Sequence, residues 1–312
     1  MVILVNTDNF TRAETDRMFH DLQQSAGGVN LFVHNRAPAA IDDQAVIRLN
    51  RDTLYSFAVV DVSSGAKLTL PEQDDRYLSA MVVNQDHFVR AIFHEPGAYD
   101  LTADELGSDH VVVAVRTLVD PVDPADVTAV AAIQDEIGLT GESAAAFEYP
   151  DYDKTSLDET RDALLALARN LTGFDRMFGT EDEVEPVRHL IGTAAGWGGL
   201  PTSEASYIGV DPRLPLGRYE LTVGDVPVDG FWSISVYNAQ GFFEANPRDA
   251  YTVNSVTGVK DADGSTTVRF GDYPPDVPNA IPITDGWNYL VRLYRPRPEI
   301  LDGTWSFPRI TG

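Results

Sequence analysis

The amino-acid sequence predicts an α+β, β-rich fold with two antiparallel parts of the sandwich or jelly-roll type, joined by a helical insert. Short runs rich in Val, Ile, Phe and Tyr fill residues 29–117, and turn residues separate them. Helix signals fill residues 121–200, and β-type runs return from Tyr207 onward. With 312 residues the chain can form one large domain or two ordinary ones. We therefore predict an N-terminal β-rich domain over 1–120, a helical insert over 121–200 and a C-terminal β-rich domain over 201–312.

Helix signals occur first near the N-terminus. Thr11-Arg-Ala-Glu14 has the spacing of a capping box, which predicts a helix from Arg12 to Ala26. Gly27 should end that helix, because glycine adopts the left-handed conformation of a helix cap at little cost. In the insert, proline at Asp123-Pro124 and a second capping box at Ser156–Glu159 mark further helix starts. The insert helices are expected over 127–137, 156–178 and 184–195.

The C-terminal part shows alternating or β-branched runs between turn residues. Asp263-Gly264 predicts a hairpin turn, since glycine tolerates positive φ. Strands are expected over 218–223, 231–237, 251–254, 265–270 and 287–294.

Charge and composition exclude several classes of function. Twenty-three basic and 48 acidic residues give a net charge of −25, which repels phosphate backbones and anionic lipids, so we expect neither nucleic acid nor membranes as partners. The chain has no cysteine, which removes disulfides and thiolate metal sites. The N-terminal apolar stretch is too short for a signal peptide, so we expect a cytoplasmic protein or the mature form of an exported one.

Several longer strings resemble known families. The first half contains Asn50-Arg-Asp-Thr-Leu-Tyr-Ser56, Val60-Asp-Val62, Leu70-Pro71 and Asp75-Arg-Tyr77. The second half contains Gly230-Phe-Trp-Ser-Ile-Ser-Val-Tyr237, Asn246-Pro247, Tyr251, Asp263-Gly-Ser265, Pro278-Asn279, Val291-Arg-Leu-Tyr294, Gly303-Thr-Trp305 and Pro308. These strings resemble bacterial proteins of the paired domain-of-unknown-function families 1254 and 1214, in that order. The resemblance implies a two-part β-rich fold with helices between the parts, and it implies no agreed reaction.

The segment Asn50-Arg51-Asp52 is a candidate site, because three polar residues directly before a β-type run are costly to bury without purpose. In a functional interpretation, Asp52 is an acid or base, Tyr55 assists it, and Arg51 binds an anion or a carbonyl group beside Asn50. In a structural interpretation, Arg51 is a buried clamp that holds loops together with its forked donors. Both interpretations are open at this point.

The predicted strand from Arg76 to Asp86 carries a second group. Alternation places Arg76, Asn84 and Asp86 on one face, where an amide and a carboxylate could orient a ligand hydroxyl and Asp86 could act as a base. The alternative is that residues 84–86 leave the sheet through a polar turn.

Aromatic residues and one arginine complete the candidate set. Arg292 lies in a run of alternating aromatic and aliphatic residues and could hold a carboxylate or stack on a sugar ring, although such stripes also serve packing. Trp232 and Tyr237 lie on opposite faces of another predicted strand. Trp197, in the loop Gly196-Trp-Gly-Gly199, could form a cleft wall or only a cap.

Two functions agree with these residues. The first is an enzyme of the hydrolase or lyase type that acts on a small polar or carbohydrate-like molecule, with Asp52, Asp86 and Tyr55 as catalytic residues in a cleft between the β parts. The second is a non-catalytic ligand-binding or assembly protein, which could form homo-oligomers. No cofactor motif occurs and the six histidines are scattered, so we expect no metal and no cofactor. A hydrolytic pair would need the two carboxylates about 5 to 9.5 Å apart.

Overall fold

A computed structural model describes residues 2–44, 47–171 and 173–310. The chain divides into two compact units. Unit 1 consists of Met1–Arg36, Leu54–Leu118 and Thr128–Thr202. Unit 2 consists of Ala37–Thr53, Val119–Val127 and Ser203–Gly312. Two short segments from the first 127 residues are thus grouped with the C-terminal strands, and one of them carries the Asn50–Asp52 candidate site.

Unit 1 contains two sheets. Its strands are β1 (Val33–His34), β2 (Thr53–Asp61), β3 (Ala66–Leu70), β4 (Leu78–Asn84), β5 (Val89–Phe93), β6 (Gly97–Leu101), β7 (His110–Leu118) and β8 (Gly138–Gly141). One sheet has the order β1-β2-β7-β4-β5 and the other has the order β6-β3-β8. Alternate residues of both sheets, including Val60, Leu68, Val82 and Val113, form one buried core, as expected for strands with one face turned inward.

The helices are α1 (Phe10–Ala26), α2 (Ala103–Leu106), α3 (Pro124–Glu136), α4 (Lys154–Ala168), α5 (Pro186–Gly196) and α6 (Pro298–Leu301). In unit 1, α1, α4 and α5 share a second apolar cluster that contains Phe10, Leu157 and Ile191. These three helices therefore stabilise one another by burying one apolar face each.

Four helices, α1, α3, α4 and α5, lie near their predicted positions, but the N-caps of α1 and α4 differ from the prediction. The N-cap of α1 is Asn9, and Glu14 pairs with arginines rather than with the expected capping threonine. In α4 the N-cap is Asp153, whose side chain accepts a hydrogen bond from the amide of Ser156. This helix ends at Ala168, earlier than the predicted 178. Gly27 ends α1 in the left-handed conformation as predicted, with φ of 81°.

Unit 2 also contains two sheets. Its strands are β9 (Ala205–Val210), β10 (Tyr219–Val223), β11 (Trp232–Tyr237), β12 (Thr252–Asn254), β13 (Thr266–Phe270), β14 (Ala280–Ile281) and β15 (Asn288–Tyr294). The sheet orders are β12-β11-β15-β9 and β10-β13-β14. Both sheets contribute to one core, in which Trp232, Ile234 and Val236 mark the apolar face of β11. The opposite face of β11 carries Ser233, Ser235 and Tyr237.

The Asp263-Gly264 turn forms, but it is not a hairpin. Gly264 has φ of 86° and its amide donates to the carbonyl of Asp261, as in a tight turn. The flanking strands β12 and β13 belong to different sheets, so the turn carries the chain from one sheet to the other.

The observed architecture confirms the predicted α+β, β-rich class, with mostly antiparallel sheets and several helices. Across the described part of the chain, every helix is too short or too polar to cross a membrane.

Candidate functional site

In unit 2, β11 and β15 are neighbouring strands of one sheet, and their polar side chains lie on the same face of it. Antiparallel pairing sets Ser233 opposite Arg292, and the segment before β2 brings Asp52 to the same place. Ser233 Oγ donates to Asp52 Oδ2 at 2.6 Å and Thr252 Oγ1 donates to Asp52 Oδ1 at 3.1 Å. The guanidinium of Arg292 lies 3.9 Å from Asp52 Oδ2. Asp52 is fully buried, so this ion pair is shielded from solvent.

The guanidinium of Arg292 donates hydrogen bonds to four acceptors. It donates to Ser235 Oγ at 2.8 Å and to the Tyr237 hydroxyl at 2.8 Å. Two backbone carbonyls, those of Arg48 and Leu49, accept at 2.8 and 3.2 Å. Burial lowers the pKa of Arg292, but Tyr237, Tyr294 and Asp52 outweigh it and the net pKa is raised. The arginine therefore stays charged.

The two candidate residues beside Asp52 have different surroundings. Asn50 Nδ2 donates to the Tyr294 hydroxyl at 3.2 Å, and its Oδ1 accepts from the Asp52 amide at 2.9 Å. Arg51 is 7% exposed, donates to the carbonyl of Ala39, and places its guanidinium 5.4 Å from the centre of the Tyr251 ring.

Two further predicted residues of unit 2 have packing roles in the structure. Trp232 is 3% exposed, lies in the core and contacts Phe307 edge-to-face at 6.3 Å. Tyr237 donates its hydroxyl to the carbonyl of Leu49 at 2.9 Å, and burial raises its pKa although Arg292 lowers it. A cavity of about 30 Å³ lies beside Tyr237 and Tyr251, which is room for about one water molecule.

In unit 1 the predicted site residues at the end of β4 lie in a turn. Asn84 Oδ1 accepts from the amides of Asp86 and Phe88 at 3.1 and 3.0 Å. The Asp86 carboxylate pairs with Arg12 at 2.5 Å, and its side chain is 45% exposed. Asp52 and Asp86 belong to different units. Arg76 donates to the carbonyl of Leu118 at 2.7 Å.

Trp197 and Tyr55 lie against buried groups of unit 1. The Trp197 ring stacks on His87 with centroids 5.4 Å apart, and its indole N–H donates to Thr15 at 3.1 Å. Tyr55 lies 5.3 Å below the guanidinium of Arg116. The loop that follows α5 takes part in both contacts, because it carries Trp197 and because the carbonyl of Gly198 accepts a hydrogen bond from Arg116 at 2.8 Å.

His87 is a buried residue that the sequence did not single out. Its Nε2 accepts from the Gly198 amide at 2.9 Å, and its Nδ1 lies 2.9 Å from the Thr193 hydroxyl. Because the Thr193 hydroxyl donates to the carbonyl of His189, it accepts from His87, which selects one neutral tautomer. Burial, together with His189, holds the pKa of His87 well below its ordinary value. The neutral ring is therefore a structural partner of Trp197.

Unit 2 also contains an open groove of about 500 Å³, which we call the Trp305 groove. Its lining comes from the segment before β11 and from α6 with the loop that follows it. The lining residues are Asp225, Val226, Pro227, Arg297, Glu299, Thr304 and Trp305. The sequence places Trp305 in a family string but does not predict this groove, because an alternation pattern does not show which loops meet.

The backbone of the groove is held by hydrogen bonds. The amide of Arg297 donates to the carbonyl of Pro227 at 2.8 Å, and the amide of Trp305 donates to the carbonyl of Glu299 at 2.8 Å. The Arg297 guanidinium pairs with Asp229 at 2.6 Å. The Trp305 ring contacts Phe307 edge-to-face with centroids 5.9 Å apart, which connects the groove wall to the core.

Metal ligation has no evident place in the described part of the chain. No group of three or more His, Cys, Asp or Glu side chains there has a metal-binding arrangement.

Comparisons with solved structures support the fold. The VPA0106 protein of Vibrio parahaemolyticus is 17% identical, with a TM-score of 0.70, and the match covers 98% of this chain and 99% of that one. An uncharacterised protein of Burkholderia cenocepacia is 14% identical, with a TM-score of 0.52, and the match covers 98% and 87%. At this identity the likeness concerns the fold alone. No curated protein matches the chain.

Family models match both halves of the chain. Residues 29–141 match the family described as protein of unknown function DUF1254, and residues 215–298 match the family described as protein of unknown function DUF1214. The order of the two matches confirms the resemblance that the sequence strings indicated. The chain therefore belongs to the proteins that combine these two families of unknown function, with DUF1254 in the N-terminal half and DUF1214 in the C-terminal half.

Proposed function

We propose that the protein binds a small polar, carbohydrate-like molecule in the Trp305 groove. The observation that carries this proposal is the groove itself, whose volume of about 500 Å³ lies within the range of roughly 300 to 1,000 Å³ that small-molecule sites occupy. The groove combines one large aromatic ring with several polar groups, and polar groups fix the orientation of a ligand in small-molecule sites.

The mixture of charges in the groove favours a neutral ligand that is rich in hydroxyl groups. Asp225 and Glu299 supply acceptors, and Arg297 supplies donors. An anion would meet two carboxylates and a cation would meet the guanidinium, whereas hydroxyl groups can donate to the former and accept from the latter. The half-buried ring of Trp305 offers an apolar surface for the C–H face of a sugar.

An acid–base enzyme that uses the same groove is a second candidate. Two carboxylates, those of Asp225 and Glu299, line the groove, and glycoside hydrolysis requires such a pair. Asp52 and Asp86 are the pair that the sequence predicts for this role. Both oxygens of the buried Asp52 already accept hydrogen bonds and Asp86 pairs with Arg12, so the groove carboxylates suit acid–base chemistry better.

The binding proposal is tested by titrating the full chain with maltotetraose, cellotetraose and chitotetraose and following heat and tryptophan fluorescence. We expect one of the three to bind saturably. Trp305→Ala should weaken that binding about fivefold or more, since stacking contributes on the order of 1 kcal/mol or more. Trp305→Phe should retain most of it, and Leu216→Ala, at a residue that is 59% exposed outside the groove lining, should change nothing.

Two results would contradict the proposal: no binding of any of the three sugars, or binding that Trp305→Ala leaves intact. Saturable binding of choline in their place would indicate a cation site instead. For the enzymatic candidate, release of reducing ends should disappear in Glu299→Gln while sugar binding persists.

A further inference from the structure

Arg51 is a buried arginine whose donors are incompletely satisfied. Its guanidinium donates to the carbonyl of Ala39, and among the described residues no other acceptor takes part. The Nε atom is buried without a hydrogen-bond partner. Among the described residues, Asp249 interacts with this guanidinium electrostatically but makes no ion pair or hydrogen bond with it, although an unpaired buried charge is costly.

Arg292 shows that this unit can satisfy a buried arginine completely. Arg292 is 2% exposed, donates to two hydroxyls and two carbonyls, and lies near Asp52. Arg51 is 7% exposed, and one carbonyl accepts a hydrogen bond from it. The two side chains are similarly buried, but only Arg51 has a buried N–H group without a hydrogen-bond acceptor. A bound ligand could supply that acceptor.

We propose that Arg51 binds the carboxylate of a small organic anion through the Nε edge of its guanidinium. A planar carboxylate matches the parallel N–H groups of a guanidinium and forms two charge-assisted hydrogen bonds with it. Such an anion supplies the acceptor that Nε lacks. Arg51 does not line the Trp305 groove, so this site and the proposed sugar site can each fail alone.

The surroundings of Arg51 suit a small anion. The Tyr251 ring covers one face of the guanidinium and leaves its edge for in-plane hydrogen bonds. None of the described residues 37–44, which include the acceptor Ala39, is buried, so the segment that contacts Arg51 is itself partly exposed. Asp249 is close enough to interact electrostatically with Arg51 and would repel the anion, which limits its affinity.

The test uses sodium acetate as the probe, titrated into the full chain against sodium chloride at equal ionic strength, with calorimetry and thermal unfolding as readouts. We expect saturable acetate binding and a matching rise in melting temperature. Arg51→Gln should weaken binding by about 30-fold or more, as expected when one partner of a buried ion pair is removed. Arg213→Gln is the control, because that side chain is 87% exposed and should leave acetate binding unchanged.

A second variant keeps the proposal testable if Arg51→Gln does not fold. Asp249→Asn removes the repelling charge and leaves Arg51 in place, and asparagine tolerates the left-handed backbone of this position, where φ is 49°. Acetate should bind more tightly to Asp249→Asn than to the wild type. The proposal is overturned if acetate acts no differently from chloride, if Arg51→Gln folds and binds acetate as before, or if Asp249→Asn leaves the affinity unchanged. Tight binding of inorganic phosphate without binding of acetate would also overturn the carboxylate assignment.

Discussion

Arg292 connects the polar groups that are buried around Asp52 in unit 2. It donates to Ser235, Tyr237 and two carbonyls, and its charge offsets that of the fully buried Asp52. A buried ion pair of this kind is not a strong source of stability by itself, because both ions lose their hydration. Removing one partner, however, leaves the other charge buried without compensation.

We therefore expect Arg292→Met to destabilise the protein by about 3 to 5 kcal/mol. The measurement is urea unfolding at pH 7, with Arg213→Met as the exposed control, which should stay within about 0.5 kcal/mol of the wild type. A loss of less than about 1 kcal/mol in Arg292→Met would contradict this prediction. It would show that the side chains around Asp52 rearrange or admit water when the arginine is removed.

At the scale of elements, Glu14 connects two helices of unit 1. Its carboxylate accepts from Arg17 within α1 at 2.8 Å and from Arg161 of α4 at 2.5 Å, and its side chain is 4% exposed. Burial raises the pKa of Glu14, but the two arginines outweigh it and hold the pKa below its ordinary value of 4.5. The folded state therefore favours the ionised form.

Glu14→Gln should cost about 3 kcal/mol of stability at pH 7, because it leaves two guanidinium groups without their shared partner. A lowered pKa means that the contribution of Glu14 is present above about pH 4.5 and is lost as the pH falls through the folded-state value. The difference between wild type and Glu14→Gln should consequently shrink as the pH falls below about 4.5, as measured by thermal unfolding.

Asp21 provides the matched control for Glu14. It pairs with the same Arg17 at 2.7 Å, but its side chain is 53% exposed, so Asp21→Asn should cost only about 0 to 1 kcal/mol. Equal losses in Glu14→Gln and Asp21→Asn would mean that the contact between α1 and α4 rests on apolar packing and not on this ion pair.

At the scale of the whole molecule, the net charge of −25 determines how stability depends on salt. Salt shortens the Debye length from about 30 Å at 0.01 M to about 3 Å at 1 M, which relieves repulsion among the exposed carboxylates. Exposed ion pairs such as Arg297–Asp229 and Lys67–Asp100 lose strength at the same time, but each contributes only about 0 to 1 kcal/mol.

Because acidic residues outnumber basic ones by 48 to 23, relief of repulsion should dominate. The melting temperature should rise steadily with sodium chloride from low to molar concentration, as followed by circular dichroism. A steady fall would mean that local arginine pairs control the electrostatics and that the net charge does not.

The sequence by itself determined the kind and position of most elements. The strands β11 and β15 begin one residue after their predicted starts and end at the predicted residues, because the alternation of apolar and polar side chains is a local property. Gly27 likewise ended α1 as predicted, since a residue without Cβ is suited to the left-handed cap. The sequence also indicated the family resemblance without a structure, because short characteristic strings occur in the expected order.

The tertiary structure alone decided which side chains meet. Asp52 was assigned to the N-terminal part, yet its partners Ser233 and Thr252 lie 181 and 200 residues away in the sequence, and Trp305 lines a groove with the distant segment 225–227. A local pattern specifies which face of a strand is apolar, but it does not specify which strands become neighbours or where loops converge. Those contacts follow from the packing of whole sheets, in which the burial of apolar area over many residues outweighs the preference of any single polar group.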